Sequence, residues 1–254
     1  MSRAVRAVRA VPAVLGAVAA VGIIGLGGCG DGSSDSLTVF AASSLTESFE
    51  EIAGAFEADT ATTVTTDFDG SARLATQIEH GAPADVFAAA DRGTMDAAVA
   101  TRGVRRAPEV FARNRLTIVV PAGNPAEIRG LDDLARSDVV LALADPSVPA
   151  GNYSSQALDR AGVTVRPATL EGSVRGVVTK VGLGEADAGI VYESDVVAGD
   201  GSVESVTIPD ALNVSAEYVI AVLEDAPASA DGFMDFVMSD EGRRVLEEKG
   251  FLVP

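Results

Sequence analysis

Cysteine and histidine are almost missing from this chain: Cys29 and His80 stand alone among 254 residues, and there is no tryptophan. A single cysteine excludes an internal disulfide and a cysteine-based metal cluster. One cysteine and one histidine also leave too few ligands for a zinc site. His80 is followed by Gly81, a helix-stop pair, so it reads as a surface residue at a helix end. A Ser-His-Asp hydrolase therefore lacks its base, and no G-x-S-x-G elbow is present. The P-loop and G-x-G-x-x-G phosphate fingerprints are missing as well. Aromatic residues make up 5% of the chain, and Tyr153, Tyr192 and Tyr218 are scattered, unlike the clustered phenolates of a ferric site. Basic residues are scarce: 19 Lys and Arg face 37 Asp and Glu, for a net charge of −18. That balance argues against nucleic acid or an anionic membrane surface as partner. An anionic ligand would have to be held by local dipoles, since the overall field does not attract it.

What the chain has is 47% apolar residues, mostly Ala, Val, Leu and Ile, arranged in alternating strand-like and helix-like stretches. Alternation of that kind predicts an α/β fold with mostly parallel sheets flanked by helices. In such sheets ligands bind beyond the carboxyl ends of the strands. Four junctions fit this position. Leu37–Phe40 is a strand-type run, and Ser44-Leu-Thr-Glu47 after it has the spacing of a capping box. Leu45, Phe49, Ile52, Ala53 and Phe56 then recur on one helical face. The strand from Thr63 to Phe68 leads through Asp69-Gly70 to Ser71 at the start of a helix carrying Leu74, Ala75 and Ile78. Asp145-Pro-Ser-Val-Pro149-Ala150-Gly151 enters a third helix, and Ser173 is placed to cap a fourth that begins at Val174. Unpaired N–H groups and the positive end of the helix dipole meet at each junction, which suits an anion. Arg73 and Arg175 stand near two of the junctions as possible countercharges, with surface ion pairs as the alternative. Further on, Leu116–Val120 and Tyr218–Leu223 read as strands, Ala188–Tyr192 as a buried strand ending on a phenol, and Asp231–Lys249 as one amphipathic helical tail. Arg102, Arg105 and Arg106 read as a solvated cluster paired with acids.

Residues 1–28 carry Arg3, Arg6 and Arg9, no acid, and an apolar run from Ala10 to Leu26. That is the plan of a secretory signal, and the run is short of the ~20 residues of a membrane span. Leu26-Gly27-Gly28-Cys29 resembles the lipobox of bacterial lipoproteins, which implies cleavage before Cys29 and lipid on its sulfur. Removing residues 1–28 takes away three arginines and moves the net charge from −18 to −21. Gly30–Ser36 is Gly/Ser/Asp-rich and reads as a flexible tether.

Several segments, in order along the chain, are similar to those of the molybdate-binding protein of bacterial ABC importers. They are Val39-Phe-Ala-Ala-Ser-Ser-Leu-Thr, Gly81-Ala-Pro-Ala-Asp-Val-Phe, Asp145-Pro with Val148-Pro-Ala-Gly, Val174-Arg-Gly and Gly189-Ile-Val-Tyr. The resemblance implies a two-lobed type II periplasmic-binding-protein fold that closes on a tetrahedral oxyanion through neutral donors. By motif, the serine hydroxyls fall on Ser44 and Ser71, the backbone donors on Ala150 and Val174, and the phenol on Tyr192. The sequence departs from the pattern at Asp69, where many relatives have Ser or Ala, so this carboxylate should point away or bond locally. Ser43 beside Ser44 leaves the first position open by one residue.

The expected organisation is a signal peptide at 1–28, lipidated Cys29 with a tether to 36, a first lobe of 37–116 plus 224–254, and a second of 117–223. Crossings between lobes are expected near 117–120 and 218–223. The expected function is that of a monomeric, lipid-anchored binding protein on the outer face of the cell membrane. It would capture molybdate, and also tungstate, for ABC permease subunits, with no enzymatic activity, no cofactor and no direct metal ligand. Another oxyanion such as sulfate on the same fold is the near alternative. A transcriptional sensor domain and a secreted hydrolase are the distant ones, disfavoured by the signal segment and by the missing base.

Overall fold

The computed structural model describes residues 35–199 and 201–254, and Ser34–Pro254 forms one compact unit. The signal segment, Cys29 and most of the tether lie outside the described residues. Strands β1 (Ser36–Ala42), β2 (Thr63–Asp69) and β3 (Val86–Ala89) alternate with helices α1 (Thr46–Thr60), α2 (Ser71–Glu79) and α3 (Arg92–Arg102). A strand of 18 residues, β4 (Val104–Pro121), follows. Next come β5 (Leu141–Ala144), α4 (Pro149–Ala161), β6 (Thr169–Glu171), α5 (Val174–Gly182), β7 (Ala188–Tyr192), α6 (Glu193–Val197) and β8 (Val203–Thr207). The chain ends with β9 (Ser215–Leu223), α7 (Ser229–Val237) and α8 (Asp240–Glu248).

The pairing runs β2-β1-β3-β9-β4-β7-β5-β6, with β8 also on β4. β1 pairs in parallel with β2 and β3, and β5 in parallel with β6 and β7. Every pairing made by β4 or β9 is antiparallel, so the expectation of mostly parallel sheets holds for β1–β3 and for β5–β7, on either side of these two strands. β4 belongs to both sheets. Its first part, Val104–Arg115, lies against β9 with three register shifts, and Leu116–Pro121 lies against β7 and β8. At the change of partner Asn213 takes both backbone groups of Leu116: its Oδ1 accepts at 3.0 Å and its Nδ2 donates at 2.8 Å. Tyr218–Leu223, expected at a crossing, runs inside the first sheet, between β3 and β4.

β3 and β5 are four-residue apolar runs buried throughout, as strands covered on both faces require. Asp91 caps α3 by accepting from the Thr94 N–H at 2.6 Å, and Ser173 caps α5 by accepting from Gly176 at 3.3 Å. The helical tail is two helices rather than one. Ser239 interrupts it and caps α8, and a Cβ on Gly242 would stand 2.4 Å from the carbonyl oxygens of Phe236 and Val237. The arginine cluster pairs with acids as expected: Arg102 with Asp225, Arg105 with Asp231, Arg106 with Glu109 and Asp235. The few aromatics are concentrated. Phe56, Phe233, Phe49, Phe111, Tyr218 and Tyr192 form one edge-to-face chain, with ring centres 5.3–6.3 Å apart, from α1 and α7 down to the end of β7. Among the described residues no helix is long and apolar enough to cross a membrane.

Candidate functional site

The carboxyl ends of β1, β2, β3, β5, β6 and β7 converge on one small cavity. Its lining includes Ser43, Ser44, Gly70, Ser71, Ala90, Pro149, Ala150, Ser173, Val174 and Tyr192, and none of its residues is charged. All five residues anticipated from the sequence border it. The space measures about 20 Å³. Pockets for organic ligands run to about 300–1,000 Å³, so this one fits a compact group.

The junction after β1 differs from its expected form. Ser43–Leu45 make a turn of 3-10 helix and α1 starts only at Thr46, so Ser44 caps nothing. Its hydroxyl meets the Tyr218 hydroxyl at 2.8 Å instead. Glu47, the presumed partner in a capping box, forms an ion pair with Arg175, Nη1 to Oε2 at 2.9 Å. Ser71 occupies the first helical position of α2, and its Oγ accepts from the Ala90 N–H at 3.1 Å. That leaves the Ser71 proton free for another acceptor. Ala150 and Val174 lie in the first turns of α4 and α5, where N–H groups have no intrahelical acceptor.

Tyr192 supplies the last donor. Its hydroxyl is buried without a hydrogen-bond partner, one of three such side-chain atoms among the described residues and the only one of them on this cavity. An unpaired buried hydroxyl costs about 1–3 kcal/mol, so its persistence needs an explanation. Burial pushes its pKa well above the ordinary tyrosine value, which keeps it a neutral donor.

The two arginines near the junctions are engaged elsewhere. Arg73 pairs with Asp69 at 3.0 Å, and Arg175 with Glu47. Asp69 also accepts from its neighbour, the Gly70 N–H, at 2.7 Å. The carboxylate that breaks the family pattern is thus satisfied locally and does not line the cavity. Gly70 and Gly172 bring the two walls together: a Cβ on Gly70 would stand 2.2 Å from the Gly172 carbonyl oxygen. Sequence reasoning missed this contact, and it missed Ala90, Pro149 and Tyr218. Ala90 and Tyr218 act through pairings across 19 and 174 residues, which no local pattern announces.

Three residues after Tyr192 lies the one buried acid among the described residues. Asp195 accepts from the Tyr192 backbone N–H at 2.9 Å, and burial lifts its carboxyl from 3.8 to about 7 despite that bond and the nearby Arg175. An acid whose pKa is raised in the fold binds its proton more tightly folded than unfolded. Stability is therefore gained as pH falls from about 7 towards 4 and lost above that window. Asp195→Asn keeps an acceptor for Tyr192 and removes the buried charge. Its melting temperature is expected to exceed that of the unmodified chain at pH 8, with the gain vanishing near pH 4. A gain of equal size at both pH values would contradict the assignment.

Comparison with known proteins follows the same line. Residues 37–252 match the family model for bacterial extracellular solute-binding proteins. The molybdate-binding protein ModA of Mycobacterium tuberculosis H37Rv is 40% identical over 222 residues, covering 86% of this chain and 85% of that one. In fold, the chain is similar to the periplasmic molybdate-binding protein of Azotobacter vinelandii, with a TM-score of 0.75 at 20% identity over 86% of this chain and 99% of the other. It is equally similar to the sulfate-binding protein SubI of Mycobacterium tuberculosis H37Rv, at 0.75 and 21% identity over 85% and 86% of the two chains. The chain belongs to the bacterial extracellular solute-binding proteins and, among them, to the ModA family.

Proposed function

We propose that this chain captures molybdate, and also tungstate, outside the cell and hands it to the permease subunits of an ABC importer. The observation that carries the reading is the Tyr192 hydroxyl, buried, neutral and unpaired on a cavity with no charged lining. A fully ionised tetrahedral oxyanion such as molybdate offers acceptors only, so it can accept hydrogen bonds from Tyr192, Ser44 and Ser71 and from the N–H groups of Ala150 and Val174. Hydrogen bonds to an ionised acceptor are roughly twice as strong as neutral ones, and five of them replace a water shell without a countercharge. The first-turn amides add the positive ends of their helices. The ModA relatives support molybdate as the anion, and the SubI likeness makes sulfate the second reading.

In this proposal the first lobe holds β1–β3, β9, α1–α3 and the first part of β4, the second holds β5–β8 and α4–α6, and the chain turns between them near Arg115 and Asn213. The lobes close on the anion, a common ligand response in binding proteins. Cys29 is the lipid attachment point, and the segment after it is a tether. No reaction is assigned to the cavity.

Titration calorimetry of residues 30–254 with molybdate, tungstate, sulfate and phosphate tests the reading. Tight binding of the first two with no heat from the others is expected. Preference for sulfate would keep the mechanism and overturn the ligand, and silence from all four would reduce the junctions to ordinary helix starts.

A further inference from the structure

The Ser44 hydroxyl is paired with Tyr218 at 2.8 Å, and by distance alone either oxygen is the donor. The surroundings settle the direction. Tyr218 is fully buried and does not line the cavity, whereas Ser44 does. Ser44 Oγ is the hydrogen-bond partner of the Tyr218 hydroxyl, so a Ser44 that donated to it would leave the phenol proton buried without an acceptor. A hydroxyl has a single proton to give, and that of Tyr218 goes to Ser44. Ser44 then has its own proton left for the cavity. Ser71 is set the same way, with its oxygen taken by the Ala90 N–H.

We propose that Tyr218 is a positioning residue that holds the Ser44 oxygen as an acceptor and so presents the Ser44 proton to the ligand. The proposal rests on the oxyanion reading of the cavity. It adds a consequence for selectivity. A fully ionised oxyanion needs only donors, whereas hydrogen phosphate carries an O–H that needs an acceptor. With its oxygen occupied by Tyr218, Ser44 cannot serve as one. Phenylalanine at 218 would keep the ring packing against Tyr192, Phe111 and Phe251, but would let the Ser44 hydroxyl rotate and accept.

The test is a double-mutant cycle on the full-length chain in detergent, titrated with molybdate and with phosphate. Tyr218→Phe is expected to weaken molybdate binding about five- to tenfold, the range of one neutral hydrogen bond, and to narrow the margin over hydrogen phosphate. In a Ser44→Ala background the same change is expected to shift molybdate affinity less than about twofold, because Tyr218 then has nothing to orient. An equal loss in both backgrounds would mark Tyr218 as structural and overturn the proposal alone. No molybdate binding by the unmodified chain would overturn the oxyanion reading and this proposal with it. Should Tyr218→Phe not fold, nuclear magnetic resonance of the unmodified chain decides the direction. Proximity of the Tyr218 hydroxyl proton to the Ser44 methylene supports the relay, and a Ser44 proton directed at Tyr218 overturns it.

Discussion

Gly70→Ala is expected to lower molybdate affinity by at least about a hundredfold, or roughly 2.7 kcal/mol, while the unliganded chain, whose lobes are free to part, loses little of its melting temperature. Gly70 has φ −58° and ψ 130°, a conformation open to any residue, so the backbone does not require glycine there. The space does. An added Cβ would meet the Gly172 carbonyl oxygen at 2.2 Å, the Gly172 carbonyl carbon at 3.3 Å and the Ser173 Cα at 3.6 Å, all on the opposite wall. These atoms belong to main chain and cannot swing aside as a flexible side chain does. The walls must part by about an ångström, and hydrogen bonds weaken steeply once donors and acceptors are drawn beyond their usual ~3 Å. Calorimetry on the variant checks this, with the thermal melt as control. Affinity at the unmodified level would mean that the approach of Gly70 and Gly172 is not part of binding.

Tyr192→Phe is expected to act in opposite directions on the two states. Without ligand it removes a buried hydroxyl that has no partner, so the melting point should rise, with a stability gain of up to the ~1–3 kcal/mol that such an orphan costs. With molybdate it removes a charge-assisted donor, so affinity should fall about 10- to 150-fold, the equivalent of 1.5–3 kcal/mol. A scan with and without saturating molybdate reads both effects on one sample. A phenol that served only packing would lower stability in both states, and its loss would leave affinity alone.

The parts of this molecule that local rules govern were readable from its sequence. The apolar runs at β3 and β5, the Asp91 and Ser173 caps and the strand-to-helix junctions follow from propensity and spacing, and each junction carries a residue of the cavity. Tyr192 and the choice of Ser44 and Ser71 came from family resemblance, since a phenol at a strand end or a serine at a helix start is common. Ser44-Leu-Thr-Glu47 fits a capping box, but Arg175, 128 residues away, claims Glu47 and Tyr218 claims the serine. Tertiary partners overrode a sound local pattern. The first half of β4 escaped notice because Val104-Arg-Arg-Ala-Pro-Glu lacks apolar alternation; its strand is secured by pairing with β9 rather than by burial. The break at Ser239 was hidden for a different reason, since the apolar period continues through it and only the close approach of Gly242 to the preceding turn reveals the bend. The meeting of Gly70 with Gly172 is a property of the assembled walls, and nothing in either segment alone points to it.

The central claim is that one anion sits among Ser44, Ser71, Ala150, Val174 and Tyr192. Its most direct test is diffraction from crystals grown with molybdate, collected at the molybdenum absorption edge. The account predicts a single anomalous peak inside this cavity, within hydrogen-bonded reach of all five donors and with no arginine among its contacts. A peak elsewhere on the chain, or one held by Arg73 or Arg175, would contradict it.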